Sequence, residues 1–446
     1  MMDRPNVLLI ITDQQAAMAL TACGNAYAHT PGMDSLIQGG TSFRSAYCTS
    51  PVCTPSRVSL VTGRMPHELG VNVNHDRADD AVPTLGHMFG EAGYRTAWAG
   101  KTHTPPVPPD RMDPAPGFEC LALRDHANRH LGSAGDSVVA DAAVEFLTDP
   151  DNRCAPWLLA VSLQNPHDIC YWVMGRELDT IGLTPPEAPD LLPPLPANFE
   201  LEPDEPEFLT ICRQRGHYGN EVAWTRQWTD LRWRQYLWVY YRLLERVDEQ
   251  VARILQALRD TGAVENTLVL HTADHGEGVA AHRGVVKLMP YQEATGIPMT
   301  LRWPGHVPAG MTDSKHLVSG IDVLPTLCDY AGVPIPADVR GRSLRPVIET
   351  PATAGAPLVV AELQPDPARR ELKGRILWTG RFKYAVFSHG ERPEMLFDLH
   401  LDPGETRNLA GLAGYVVELN RHRQLLTEWV RRTADEFEFP PRGLSL

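Results

Sequence analysis

The sequence has no excess of positive charge. Its 446 residues include 41 lysines and arginines against 55 aspartates and glutamates, which gives a formal net charge of −14 at pH 7. A protein that binds nucleic acid needs a basic surface to meet the phosphate backbone, so this balance argues against nucleic acid as a partner. The hydrophobic fraction of 43% and the charged fraction of 22% are typical of a globular protein. The length is sufficient for two domains.

The sequence also lacks a recognisable signal peptide and any apolar run near the roughly 18 residues of a membrane span. Its eight cysteines are scattered and include no C-x-x-C pair, which favours reduced thiols over a disulfide framework. We therefore predict a cytoplasmic protein without a membrane partner. The composition does not decide between a monomer and a homo-oligomer, so a homo-oligomer stays open.

Four short apolar runs predict buried strands, and a polar side chain follows each of them. The runs are residues 6–12, 94–99, 157–163 and 267–272, and they are rich in aliphatic and aromatic residues. Parallel strands gather ligands at the edge that their carboxyl ends form. If the four runs lie parallel in one sheet, the polar residues that follow them meet at that edge. These residues are Asp13, Gln14, Lys101, His103, His167, Asp274 and His275.

The candidate site residues fall into two sets with different chemistry. One set offers oxygen atoms and a single imidazole, the donors that divalent cations such as calcium, magnesium and manganese accept. Its members are Asp13, Gln14, Asp274 and His275. The second set is cationic or protonatable and suits the binding of a tetrahedral oxyanion. Its members are Arg57, Lys101, His103, His167 and Lys287.

A helix is predicted immediately after Cys53. Thr54 is a candidate cap for it, Pro55 suits its first turn and Gly63 ends it. The positive end of the helix dipole would then face Cys53 and favour an anion there. The residues alone therefore indicate an activated thiolate or an anion site.

Further segments are candidates for substrate recognition. Residues 184–206 are rich in proline and acids and predict a long irregular lid or wall. Residues 224–238 are dense in tryptophan and arginine, and they either line a pocket or pack beneath that loop. The longest helix is predicted over 229–259, with an apolar stripe that faces the core. We expect the loops at 75–77 and 168–217 to recognise the substrate.

The last hundred residues change in pattern. Short alternating runs predict strands at 358–363, 375–379, 381–387 and 395–399, and a helix follows at 415–433. Hairpins without crossover helices indicate a small antiparallel sheet, and therefore a second domain.

Taken together, the motifs resemble those of the sulfatase family. The signature C-x-P-S-R with a T-G-R end is matched by Cys53-Thr54-Pro55-Ser56-Arg57 and Thr62-Gly63-Arg64. Further elements of the family are matched in order by Asp13-Gln14, Gly100-Lys101-Thr102-His103, Asn165-Pro166-His167 and Asp274-His275-Gly276-Glu277, followed by His282, Lys287 and Tyr291. The C-terminal elements are matched by Leu396-Phe397-Asp398-Leu399, Asp402-Pro403-Gly404-Glu405 and Asn408-Leu409. Phe397 stands where the family usually has tyrosine.

The resemblance implies an alkaline-phosphatase-like α/β/α sandwich with a smaller C-terminal α+β domain, made of an antiparallel sheet and a helix. We place the catalytic domain at residues 1–345 and the C-terminal subdomain at 346–446. The resemblance also implies that a formylglycine-generating enzyme oxidises Cys53 to formylglycine. Residue 53 then joins the metal-binding set, which holds one divalent ion. Calcium is the expected ion, with magnesium or manganese as alternatives.

The resemblance further implies a mechanism for hydrolysis of a small sulfate ester, such as a sulfated sugar. One hydroxyl of the hydrated formylglycine attacks sulfur, and Arg57 holds the hydrate. Lys101 and Lys287 neutralise the sulfate oxygens. His167 binds the sulfate or protonates the leaving alcohol, and His103 takes the proton of the second hydroxyl so that sulfate leaves.

Two alternatives stay open at this point. Relatives on the same fold hydrolyse phosphonate or phosphate esters, or act as N-sulfoglucosamine-type sulfamidases. The pair Asp274-His275, where many sulfatases have Asp-Asn, is compatible with these substrates. The second alternative is a non-catalytic anion-binding protein, which would follow if Cys53 were never converted.

Overall fold

The computed structural model describes residues 4–103, 116–124, 132–175, 182–215 and 224–440. The strands are β1 (Asn6–Asp13), β2 (Thr41–Tyr47), β3 (Arg95–Lys101), β4 (Glu119–Arg124), β5 (Trp157–Pro166), β6 (Thr267–Ala273), β7 (Met299–Arg302), β8 (Met311–Ser319), β9 (Val359–Leu363), β10 (Gly374–Trp378), β11 (Phe382–Phe387) and β12 (Glu394–Asp398). The helices are α1 (Pro31–Gln38), α2 (Cys53–Thr62), α3 (Pro66–Leu69), α4 (Leu85–Glu91), α5 (Gly132–Thr148), α6 (Ile169–Val173), α7 (Glu207–Arg215), α8 (Asp230–Asp260), α9 (Gln292–Thr295), α10 (Val323–Ala331), α11 (Arg345–Glu349) and α12 (Val416–Thr433).

The first eight strands form one sheet in the order β4-β3-β5-β1-β6-β7-β2-β8. Strand β7 pairs antiparallel with both of its neighbours, and the other adjacent pairs are parallel. The four predicted strands are therefore the parallel neighbours β3, β5, β1 and β6. Their carboxyl ends lie along one edge of the sheet, as the sequence predicts.

Helices cover both faces of this sheet. Leu8 and Ile10 of β1 pack on one face, in a cluster with residues of α1, α5, α6 and α8. Val7 and Leu9 pack on the opposite face, with residues of α2, α4 and α10. Successive side chains of a strand point to opposite faces, so an unbroken apolar run requires cover on both sides. The predicted α/β/α sandwich is confirmed.

The longest helix, α8, also holds a second helix in place. As predicted, it begins after Thr229, whose side chain accepts a hydrogen bond from the backbone N–H of Arg232 at 3.3 Å. Asp248, in its middle, accepts the backbone N–H groups of Gly32 at 2.8 Å and Met33 at 2.7 Å. These are free donors in the first turn of α1, so a carboxyl from another helix caps it. Burial raises the pKa of Asp248 to about 6.

The C-terminal part of the chain contains an antiparallel sheet in the order β12-β11-β10-β9. Helix α12 packs on one face of it. The other face packs against residues of α7 and of segment 288–294. The predicted antiparallel sheet and terminal helix are confirmed. The division of the chain into domains at residues 345 and 346 stays a prediction.

All eight cysteines are free thiols. Throughout the described ranges, the helices are too short or too polar to cross a bilayer.

Candidate active site

Helix α2 places Cys53 at its positive end. The helix ends at Gly63, which adopts a left-handed conformation with a φ of 66°, as predicted. The predicted capping role of Thr54 is wrong, because Val52 occupies the N-cap position and Thr54 lies inside the first turn. Asn74 serves this helix end instead, since its Oδ1 accepts the backbone N–H of Thr54 at 3.0 Å. The Thr54 hydroxyl donates to the Asn74 carbonyl oxygen at 3.2 Å.

The Cys53 thiol is fully buried among basic side chains. Its Sγ lies 2.9 Å from Nζ of Lys287, 3.3 Å from Nε2 of His275 and 4.0 Å from Nζ of Lys101. Burial alone would raise the pKa of this thiol. The charges of Lys101, Lys287 and His275 outweigh burial and hold the pKa well below its usual value. The site therefore stabilises negative charge on the side chain of residue 53.

Arg57 ties the ends of three strands together from inside α2. Its buried guanidinium donates from Nε to Asp274 Oδ2 at 2.8 Å and from Nη2 to Asp13 Oδ2 at 2.9 Å. Its Nη1 donates to the hydroxyl of Ser162 in β5 at 2.7 Å. Lys101 also pairs with Asp13 Oδ2. The two buried carboxylates are thus compensated by two cations, as charges away from water require.

Four side chains converge where a metal ion could bind. Ligand atoms of Asp13, Cys53, Asp274 and His275 all lie within 4.8 Å of one another, and all four residues are buried. Nδ1 of His275 lies 2.8 Å from the carbonyl oxygen of Gly276. A proton on Nδ1 satisfies this carbonyl and leaves Nε2 free to bind a cation. Two carboxylates and one imidazole suit calcium, magnesium or manganese.

Gln14, the remaining predicted metal ligand, is oriented by buried neighbours. Its Oε1 lies 3.0 Å from Nζ of Lys287, and its Nε2 donates to the carboxylate of Glu277. Glu277 also accepts a hydrogen bond from the hydroxyl of Tyr236 in α8. These bonds turn the amide oxygen of Gln14 towards the ammonium group that contacts Cys53. Its role as a metal ligand stays a prediction.

The two predicted catalytic histidines, His103 and His167, both lie close enough to Cys53 for its side chain to influence their pKa values. Burial lowers the pKa of both imidazoles, and for His167 the nearby Lys101 charge adds to this effect. His103 follows β3 with a φ of 47°, in the left-handed region that few residues adopt. The structure therefore brings every predicted catalytic side chain to the surroundings of residue 53.

A carboxyl of α5 holds the turn that carries His167. Asp136 is buried, and it accepts the backbone N–H of Gln164 at 2.6 Å and that of Asn165 at 2.9 Å. Burial raises the pKa of Asp136 to about 7. The carboxyl fixes the backbone two and three residues before His167, so it positions the imidazole indirectly.

Sequence reasoning missed several supporting residues of the site. These are Ser162, Asn74, Asp136 and Tyr236. Each lies inside a strand, a loop or a helix with no local pattern that indicates its partner. Gly100, by contrast, belongs to the predicted motif Gly100-Lys101-Thr102-His103, and the structure gives the reason for the glycine: its φ is 102° and a Cβ atom there would lie 2.0 Å from the carbonyl oxygen of Ser162. Only glycine fits that position.

The predicted recognition loops lie partly within the described chain. His75 and Arg77 are exposed, and Asp76 between them accepts hydrogen bonds from both terminal nitrogens of Arg370 at 2.7 Å. In the predicted segment 168–217, residues 176–181 and 216–217 lie outside the described residues.

Comparisons with known proteins agree with this geometry. The sulfatase family model matches residues 5–333, and the model of the C-terminal part of N-sulphoglucosamine sulphohydrolase matches residues 281–429. A Delta 4,5-hexuronate-2-O-sulfatase from Bacteroides thetaiotaomicron is 31% identical, over 98% of this chain and 90% of its own length.

Solved structures give the same result. A 2-O GAG sulfatase superposes with a TM-score of 0.86 at 30% identity, over 99% of this chain and 95% of that one. A phosphonate monoester hydrolase of Agrobacterium radiobacter superposes with a TM-score of 0.78 at 25% identity, over 96% of both chains. The chain therefore belongs to the sulfatase family, with its alkaline-phosphatase-like fold, and is a sulfuric ester hydrolase.

Proposed function

We propose that Cys53 is converted to formylglycine and that its hydrate attacks a small sulfate ester, such as a sulfated sugar. The surroundings of residue 53 carry this proposal, because Lys287 and His275 lie 2.9 Å and 3.3 Å from its side-chain atom. The cysteine sulfur stands in for a hydrate oxygen. A thiolate that attacked sulfur would have no internal route to release the sulfate. A hydrate has one, since its second hydroxyl can collapse to the aldehyde.

We also propose that one divalent cation binds at Asp13, residue 53, Asp274 and His275, with Gln14 as a further oxygen ligand. Calcium is the proposed ion, and magnesium and manganese are the alternatives. The four buried ligand atoms within 4.8 Å of one another support the site. When bound, such an ion polarises a sulfate oxygen and lowers the pKa of the nucleophile.

In the first step of the reaction, the ester is cleaved. The hydrate oxygen, which has lost its proton to solvent, forms a bond to sulfur. The ester bond between sulfur and the alcohol oxygen breaks, and its electron pair leaves with the alcohol. His167 donates a proton to that oxygen. Lys101 and Lys287 balance the charge of the sulfate oxygens, and Arg57 orients the hydrate.

In the second step, sulfate is released from residue 53. The remaining hydroxyl gives its proton to His103, a carbon–oxygen double bond forms, and the bond between carbon and the sulfate oxygen breaks. Sulfate leaves with that electron pair, and water adds to the aldehyde to restore the hydrate. His103 returns its proton to solvent, and His167 regains one. The two histidines therefore serve different steps.

Sulfated sugars are the substrate class that we propose. The similarity to a hexuronate-2-O-sulfatase supports it. A phosphonate or phosphate ester is the second candidate, favoured by the histidine at position 275 and by the likeness to a phosphonate monoester hydrolase. An N-sulfonated glucosamine is the third, favoured by the family model that matches residues 281–429.

Turnover of a substrate panel by protein converted at residue 53 tests this assignment. The panel contains an O-sulfated hexose, an O-sulfated hexuronate, N-sulfonated glucosamine, 4-nitrophenyl sulfate and a phosphonate monoester. We expect the highest kcat/KM for one of the O-sulfated sugars. A higher value for the phosphonate ester or for the N-sulfonated sugar would replace the assignment with the corresponding alternative.

We further propose that a formylglycine-generating enzyme matures the protein. The mature protein, in this proposal, acts in the cytoplasm. Eight free cysteines support a reducing compartment. Fractionation of the native host tests the location, and recovery of the protein chiefly from the medium or the periplasm would contradict it.

A further inference from the structure

A cavity of about 170 Å³ is lined by residues from segments 201–213, 225–233 and 283–289. It is smaller than the roughly 300–1,000 Å³ of pockets that hold drug-sized molecules, so it accommodates a single ring rather than a long chain. Its walls are dominated by arginine and tryptophan. The lining residues that matter here are Arg213, Arg226, Trp228, Trp233 and Arg283.

Two sides of the cavity are formed by residues that belong to, or pack against, segments with proposed catalytic groups. Four of the lining residues belong to segment 283–289, which also carries Lys287, the contact of Cys53. On another wall, Trp228 packs edge-to-face on Trp172 of α6, with 5.4 Å between ring centroids. Helix α6 follows the turn that carries His167. The cavity therefore adjoins the segments that hold the sulfate and the leaving alcohol in the proposed mechanism.

The charge around the cavity favours an anion. Three arginines line it, and no acidic side chain of the described chain does. Two of the three are neutralised, since Arg213 pairs with Glu205 at 2.7 Å and Arg283 pairs with Glu200 at 2.9 Å. Arg226 is exposed and forms no hydrogen bond or ion pair with a described residue. Among the described residues, Arg226 therefore has no charged partner, and its guanidinium is available to a ligand.

The aromatic wall favours a sugar ring next to that anion. Trp228 is half-buried, and it packs against Trp233 with 4.8 Å between centroids. An indole held by its neighbours offers a fixed apolar surface to a sugar ring. A guanidinium is suited to a carboxylate, which it binds through two parallel hydrogen bonds.

We propose that this cavity binds the carboxylated ring of a sulfated hexuronate, with the ring against Trp228 and the carboxylate paired with Arg226. The inference rests on the proposed function and narrows its substrate class. A neutral sulfated sugar could occupy the same wall, but it would leave Arg226 bonded to water alone. Recognition of the carboxylate therefore discriminates between two sugars that carry the same sulfate.

The experiment compares a hexuronate 2-O-sulfate with the corresponding hexose 2-O-sulfate, using protein converted at residue 53. The variants are Arg226→Gln and, as a matched control, Arg153→Gln, an exposed arginine before the amino end of β5, at the opposite edge of the sheet. We expect wild-type protein and the control to prefer the hexuronate about tenfold in kcat/KM. Arg226→Gln should lose most of this preference and keep the hexose value within about twofold.

The outcomes separate the subsite from the reaction. An equal preference in wild type and Arg226→Gln would refute the subsite while sulfate ester hydrolysis stands. Turnover of 4-nitrophenyl sulfate with neither sugar hydrolysed would refute the hexuronate as substrate. Absence of turnover for all three esters by converted protein would overturn the proposed function itself.

Discussion

Replacing Arg57 with lysine tests whether the shape of the guanidinium, beyond its charge, holds the site together. Arg57 donates to Asp274, Asp13 and Ser162 at 2.7–2.9 Å from a buried position. A lysine ammonium can reach one of these three acceptors, so two of the three hydrogen bonds are lost. Both lost bonds have a charged donor. At about 1.5 kcal/mol each, the free energy of unfolding should fall by about 3 kcal/mol. The same bonds fix two carboxylates beside residue 53, so kcat/KM should fall about 100-fold.

Arg375→Lys is the matched control for this variant. Arg375 is also buried, and its fork binds Asp435 at 2.6 Å and 2.7 Å in the C-terminal sheet. It should lose a comparable free energy of unfolding and keep kcat/KM within about twofold, because it lies in a separate network. Urea unfolding and turnover of 4-nitrophenyl sulfate are measured on the same preparations. Wild-type kcat/KM in Arg57→Lys, or an equal loss in Arg375→Lys, would refute the reasoning.

Three further predictions follow from single side chains. Asp274→Ala should abolish the binding of the divalent metal without unfolding the chain, and full metal content by elemental analysis would reject the ligand assignment. Asp136→Ala should lower kcat more for esters of poor leaving alcohols than for 4-nitrophenyl sulfate, because His167 loses its support; an equal loss for both would contradict this. Asp248 has a folded pKa of about 6 against 3.8 for the free group, so its contribution to stability is lost as pH rises through about 6. The free energy of unfolding of the wild-type protein should therefore fall between about pH 4 and pH 6, and Asp248→Asn should make this fall smaller. Urea unfolding at several pH values measures it, and parallel curves of unfolding free energy against pH for the two proteins would exclude the effect.

The sequence predicted the central sheet because its strands are unbroken apolar runs with polar residues at their ends. It did not predict that β7 pairs antiparallel with its neighbours, since four residues are too few to carry a periodic signal. The residues that meet at residue 53 were predictable for a related reason. They end the strands or follow them directly, so the parallel arrangement alone brings Asp13, Lys101, His167 and Asp274 to one edge.

The supporting contacts of the site could not be predicted, because they depend on tertiary structure. The sequence offers Thr54 as a helix cap by local preference, but Asn74, twenty residues away in the chain, bonds to that helix end. Asp136 looks like an ordinary polar residue of a helix, and Tyr236 belongs to the apolar stripe of α8. Their hydrogen bonds to the active-site segments exist only once the helices have packed on the sheet.

Peptide mass spectrometry at position 53, paired with turnover of a sulfate ester on the same preparations, tests the central claim most directly. Preparations with different degrees of maturation should show kcat in proportion to the fraction of Cys53 converted to formylglycine, and Cys53→Ala should be inactive. Full multiple-turnover activity in protein that carries only unmodified cysteine at position 53 would contradict the account.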